Sequence, residues 1–203
     1  MSQFLVDNLV LATYSLFISW IVISIPFLTR SRSSSVKFTI ALIVFLAARF
    51  IPIFQYYSLA YIMFGAFGNL SVITMFLLLY FIYAELVRNN ELYGISQIVF
   101  FILVLLAALL YLSVFGYLSC DVYSWGYYPA WMLLFYVMIQ IVFSIKSRLF
   151  AILWLIALIA FIFKIQTSIN FWDYLFDPLL ISISIFYLLI FCINKIVKLF
   201  SHR

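Results

Sequence analysis

Long apolar runs separated by short polar breaks fill this chain almost from end to end. A helix needs about 20 predominantly apolar residues to cross the hydrocarbon core of a bilayer. Seven segments approach that length: Phe4–Leu28, Val36–Phe54, Asn69–Leu86, Ile95–Leu118, Ala130–Ile145, Leu149–Phe163 and Leu179–Ile196. The fifth and sixth are short and also fit a tilted or buried hairpin, so five or six spans stay open as readings. Ile53–Phe67 is apolar and aromatic, with Pro52 before it and Gly65 and Gly68 at its end. It reads either as a separate interfacial or re-entrant helix or as an extension of the third span. Asn69 and Ser71 then resemble a helix start.

Composition turns this pattern into a class. Of 203 residues, 69% are hydrophobic and 8% charged, with a mean hydropathy of +1.27. A water-soluble fold cannot hide that much apolar surface, so the predicted architecture is an all-α polytopic bundle in one membrane domain, residues 1–203. Residues 1–7 carry no Lys or Arg, and the run from Phe4 to Leu28 is too long for a signal-peptide core. The expectation is a retained first span.

Charge orients the bundle. With the N-terminus outside, Arg30, Arg32, Lys37, Arg88, Lys146, Arg148, Lys195, Lys198 and Arg203 all fall inside, against Arg49 and Lys164 outside. Nine against two is a strong positive-inside bias. It predicts the N-terminus out, the C-terminus in and an odd number of spans. The same distribution removes nucleic acid as a partner, because the net charge of +5 is spread over short loops rather than one face. Cys120 and Cys192 map to opposite faces and are not expected to pair.

The outer face gathers the informative side chains. Arg49, Asp121, Lys164, Asp173 and Asp177 map there, among Tyr123, Trp125, Trp131, Trp172 and other aromatics. Tyr and Trp belong at any membrane interface, and Asp177 before Pro178 reads as a helix cap. Arg49 stands apart because it lies inside an apolar run, where a charge costs roughly 2.5–3.5 kcal/mol on insertion scales and calls for a partner. Asp121, Asp173 and Asp177 are the candidate partners; snorkelling to the interface is the alternative. At the inner side, Glu85 and Arg88 are spaced to pair across one helical turn. The single histidine, His202, is the second-last residue of the sequence, and there is no Walker loop or GxGxxG. No cofactor is expected, and no spacing among the aspartates demands a metal.

The stretches Gly116–Pro129 and Asn170–Pro178 resemble segments of small multi-pass inner-membrane proteins of Gram-negative bacteria. The length and hydropathy of the whole chain resemble the AciT family, which is linked to outer-membrane integrity. That resemblance implies envelope maintenance at the bacterial inner membrane, with no assigned chemistry. The same stretches are similar to membrane portions of sulfatase-like phosphoethanolamine or glycerol-phosphate transferases. The soluble catalytic domain of those enzymes has no counterpart here, so their activity does not carry over.

The resulting expectation is binding or trafficking of a lipid or lipid-linked envelope precursor at an outward-facing polar and aromatic site. Arg49 and Lys164 would meet an anionic headgroup, with Asp121, Asp173 and Asp177 orienting them or holding polar groups. Tyr123, Trp125, Trp131 and Trp172 would hold the amphipathic body. A secondary transporter is the first rival, and the scarcity of ionisable residues in the inner halves of the spans weighs against it. A lipid-modifying enzyme lacks a nucleophile–base pattern. A homo-oligomer or a scaffold within an envelope complex would have mainly helix faces to offer.

Overall fold

The computed structural model describes residues 3–25, 33–87 and 95–201. Nine α-helices run through these residues. They are α1 Gln3–Ser24, α2 Ser34–Phe50, α3 Leu59–Phe67, α4 Val72–Val87, α5 Gln97–Val114, α6 Pro129–Lys146, α7 Arg148–Ile162, α8 Trp172–Leu175 and α9 Pro178–Ser201. Each of the seven apolar segments forms one long helix, and the short α3 and α8 lie between them. Among the described residues, three helices are long and apolar enough to cross a membrane by length and composition: Phe4–Ser24, Gln97–Val114 and Pro178–Phe200. α4, α6 and α7 are shorter apolar helices.

The ends of the helices follow local chemistry. Ser33 caps α2 by accepting from Val36 N–H, and Ser71 accepts from Thr74 N–H at the start of α4. Pro129 and Pro178 open α6 and α9, where a missing N–H costs nothing. Gly116, at φ +76, turns the chain after α5, and Tyr117 N–H returns to Leu112 C=O at 2.9 Å. Residues 53–67 do not lengthen α4. A small antiparallel hairpin, β1 Pro52–Phe54 with β2 Tyr57–Ser58, turns through Gln55 at φ 53. The separate helix α3 follows and stops at Gly68, at φ 75. Tyr14 of α1 donates to Gly68 C=O at 2.8 Å and fixes that stop against the bundle.

α1 packs on α2, α3 and α4; α4 packs on α7; α7 packs on α6 and α8; and α5 packs on α9. Glycine is scarce, so aromatic rings take over the close packing. Trp20, Phe81, Tyr187 and Phe100 stack in sequence across α1, α4, α9 and α5, ending in a Tyr187–Phe100 pair at 4.9 Å and 5°. Phe100 meets Phe150, and from there Phe143, Trp154, Tyr136, Phe171, Phe161 and Tyr174 carry the series through α6, α7 and α8. Each such pair adds about 0.5–1.5 kcal/mol beyond area burial. The outer faces stay apolar too: Phe186, Leu189, Ile193, Val197 and Phe200 of α9 are all exposed. A helix apolar all round suits lipid rather than water.

Cross-helix bonds define two ends of the bundle. At one, which we call the aspartate end, the starts of α1, α4 and α9 meet the ends of α2, α5 and α7. Arg49 bonds Asn8, Gln166 bonds Leu70, and Asp177 bonds Ser71. At the other, the start of α2 meets the end of α4 through Lys37 and Glu85.

Candidate functional site

Asp177 joins two helices at the aspartate end. It is 4% exposed, yet its carboxylate has three donors. Oδ1 accepts Leu180 N–H at 2.9 Å, which makes it the cap of α9. Oδ2 accepts Ser71 N–H at 2.9 Å and the Thr74 hydroxyl at the start of α4. One negative charge therefore sits at two helix N-termini, where the partial positive charge of each backbone favours it.

Asp173, one helical turn earlier on α8, is half-buried. It accepts the Tyr123 hydroxyl at 3.0 Å and the Ser168 hydroxyl. Burial first, then the Asp173 charge and their hydrogen bond, push the Tyr123 phenol above its ordinary value. Tyr174 ties the same loop by donating to the carbonyls of Gln166 and Ser168 at 3.2 Å. Gln166 Nε2 donates to Leu70 C=O at 2.8 Å and joins this loop to the start of α4.

Asn170 locks two loops of the aspartate end together. It is fully buried, donates to Tyr123 C=O at 3.1 Å and accepts Trp172 N–H at 2.9 Å. Gly126 lies against it so closely that an added Cβ would stand 1.8 Å from Asn170 Oδ1. Only a residue without a side chain allows Phe171 N–H to reach Gly126 C=O at 3.1 Å.

Two cavities open beside these residues. The polar one holds about 230 Å³ and is lined by Asn69, Tyr111, Gln166, Ser168, Asp173 and Asp177, among others. The second holds about 240 Å³ and is almost wholly apolar, with Leu9, Val72, Met75, Phe76, Ile156 and Ile159 in its wall. Val6, Val10, Leu70 and Gln166 line both, so the two meet along one boundary.

The residues singled out from sequence are thus divided. Asp173 and Asp177 come together at the polar cavity, with Tyr123 bonded behind Asp173. Trp172 is buried and donates its indole N–H to Val122 C=O at 3.0 Å, bracing the loop. Asp121 is exposed and accepts Ser124 N–H at 3.1 Å in a local turn. Trp125 is exposed; the side chain of Trp131 lies outside the described residues. Lys164 is exposed just past α7, in the left-handed region at φ 50. Arg49 donates to Asn8 Oδ1 on α1 and lies 5.4 Å from the Phe50 ring, while the three aspartates have the partners given above. Neither Arg49 nor Lys164 lines the polar cavity.

Sequence reasoning passed over Tyr111, Gln166, Ser168 and Thr74, and read Asn69 and Ser71 only as a helix start. It also read Glu85 toward Arg88, which lies outside the described residues. In the structure Glu85 pairs with Lys37 at 3.7 Å, and Lys37 Nζ also donates to Glu85 C=O at 3.1 Å. Among the described residues no group of three His, Cys, Asp or Glu is placed to hold a metal. Cys120 and Cys192 are exposed free thiols.

The fold and site together define a helical membrane-type bundle with a polar pocket at one end. Comparison with protein-family models, with curated proteins and with solved structures finds no match to this chain.

Proposed function

We propose that this protein is a multi-pass component of a bacterial inner membrane that binds, and hands on, an amphipathic lipid or lipid-linked envelope molecule, and so supports the outer-membrane barrier. In this reading all seven long helices span the bilayer and the aspartate end faces away from the cytoplasm. The positive-inside distribution of Lys and Arg supports that orientation. The observation that carries the reading is the junction of a polar and an apolar cavity at the aspartate end. A headgroup needs fixed polar partners and a tail needs an apolar wall, and these two volumes supply both within one boundary.

The test is loss of the gene in the native host, read by uptake of a hydrophobic dye that an intact outer membrane excludes. Uptake rises, and wild-type protein reverses it while Asp173→Asn does not. Unchanged uptake in the deletion strain removes the envelope reading.

One observation favours a second reading, a secondary transporter. Lys37 is 7% exposed and paired with Glu85 at the end opposite the aspartates, so ionisable groups are buried at both ends of α4. Substrate accumulation in proteoliposomes that Lys37→Met abolishes would put transport first.

A further inference from the structure

The charge of the polar cavity bears on what kind of headgroup it takes. Two carboxylates, Asp173 and Asp177, line it with the amides of Asn69 and Gln166 and the hydroxyls of Tyr111 and Ser168. Among the described residues no Lys or Arg is in its wall. A phosphate or sulfate placed there would face two like charges with no cation to offset them, at low local dielectric. A protonated amine would find the opposite. An ionised carboxylate offers about four acceptor positions. Asp173 receives two hydroxyl donors and Asp177 two backbone N–H groups and one hydroxyl, so each carboxylate has acceptor capacity left at the cavity it lines.

The surroundings hold those charges in place instead of neutralising them. Asp177 is fixed by two helix N-termini, and Asp173 by Tyr123 and Ser168. The two outer cations are directed elsewhere: Arg49 to Asn8, and Lys164 on an exposed turn. The adjoining apolar cavity extends between α1, α4 and α7, the direction an acyl or prenyl chain would take from a headgroup at Asp173.

From this we propose that the site takes an amphiphile whose headgroup carries a protonated amine, seated at Asp173 and Asp177, with one apolar chain in the groove lined by Leu9, Met75 and Ile159. This rests on the lipid-binding reading above and narrows it to a headgroup class, replacing the anionic headgroup expected from Arg49 and Lys164.

The experiment places purified full-length protein in phosphatidylcholine nanodiscs. Trace octadecylamine, octadecyl phosphate or octadecyl glucoside is added, and retained probe is counted by native mass spectrometry. Octadecylamine is expected to be retained at least tenfold over the phosphate, the loss expected when a charge-assisted contact becomes a repulsion. Asp173→Asn should lower amine retention about tenfold and Asp173→Glu should keep it. Leu9→Trp, at a position that is already 39% exposed, should lower retention of any chain by filling the groove without disturbing the carboxylates. Excess butylamine should not displace the long-chain amine if the tail contributes; full displacement would mean that a free amine is the ligand and would overturn the amphiphile.

Equal retention of glucoside and amine, unchanged in Asp173→Asn but reduced in Leu9→Trp, would overturn the amine while leaving the lipid site standing. Preference for the phosphate would also overturn it. Retention of no probe would overturn both. A thermal melt of each variant guards against misfolding, and the Asp173→Glu and Leu9→Trp results decide the matter if Asp173→Asn does not fold.

Discussion

Replacing Asp177 by Ala should be among the most damaging single changes at the aspartate end. The substitution strips the acceptor from Leu180 N–H at the start of α9 and from Ser71 N–H and the Thr74 hydroxyl at the start of α4. A hydrogen bond to a charged group contributes about 1.5–3 kcal/mol, and a lost cap costs about 0.5–2 kcal/mol. The three terms are not independent. The Ser71 and Thr74 hydroxyls lie 3.0 Å apart and keep their mutual bond, and the cavity admits polar groups to part of the wound. The net loss should therefore be about 3–5 kcal/mol, less than the plain sum. Asp177→Asn keeps one acceptor oxygen but no charge, and should lose about 1–2 kcal/mol. Thr74→Val removes one of the three donors and should couple to Asp177→Ala, the double variant costing about 1 kcal/mol less than the two singles added. The assay is reversible unfolding of purified protein in mixed micelles as the fraction of sodium dodecyl sulfate rises, followed by far-UV circular dichroism. A loss below about 1 kcal/mol for Asp177→Ala would refute the idea that this carboxylate joins two helices.

Three further outcomes follow from the geometry. Lys37→Met leaves the Glu85 carboxylate without its cation and should cost about 2–4 kcal/mol in the same assay, most of it regained in Lys37→Met with Glu85→Gln; equal losses in the single and double variants would refute the pairing. The Tyr123 phenol, raised above the ordinary value of about 10, favours the fold below that pH, and the contribution is lost as pH rises through the folded value. An absorbance titration at 295 nm, differenced against Tyr123→Phe, should show Asp173→Asn lowering that value part of the way, because burial remains; no movement would separate the two groups. Lys164→Gly should stabilise by up to about 1 kcal/mol by removing a side chain from a left-handed position, and should leave amine retention unchanged.

What the sequence made legible was what depends on long averages. Seven apolar runs are also seven helices, because about 20 apolar residues outweigh any local preference. Short-range chemistry was legible too: Asp177 before Pro178 is a cap, and Ser71 opens α4. Pairing across distance was not. Nothing in the neighbourhood of Lys37 points 48 residues along to Glu85, and the helical spacing of Glu85 and Arg88 offered a nearer explanation. The hairpin at Pro52–Ser58 was hidden for the opposite reason: five residues around Gln55 are too few to give a period.

Arg49 shows the limit most clearly. An arginine in an apolar run demands a partner by its cost alone, and charge is the only criterion that sequence provides for choosing one. The fold used proximity instead and gave it the neutral Asn8, one turn into α1. Asp177, spared from neutralising Arg49, is held by backbone N–H groups and a hydroxyl, none of which carries a formal charge that composition could register. Among the described residues the polar cavity is therefore lined by two aspartates and no Lys or Arg, and the amine headgroup proposed for it is opposite in sign to the one expected from Arg49 and Lys164. A cation aimed into that cavity would have cancelled the feature on which amine recognition depends. The placement of Arg49 on Asn8 is in that sense a condition for the site as much as the placement of Asp173 and Asp177 within it.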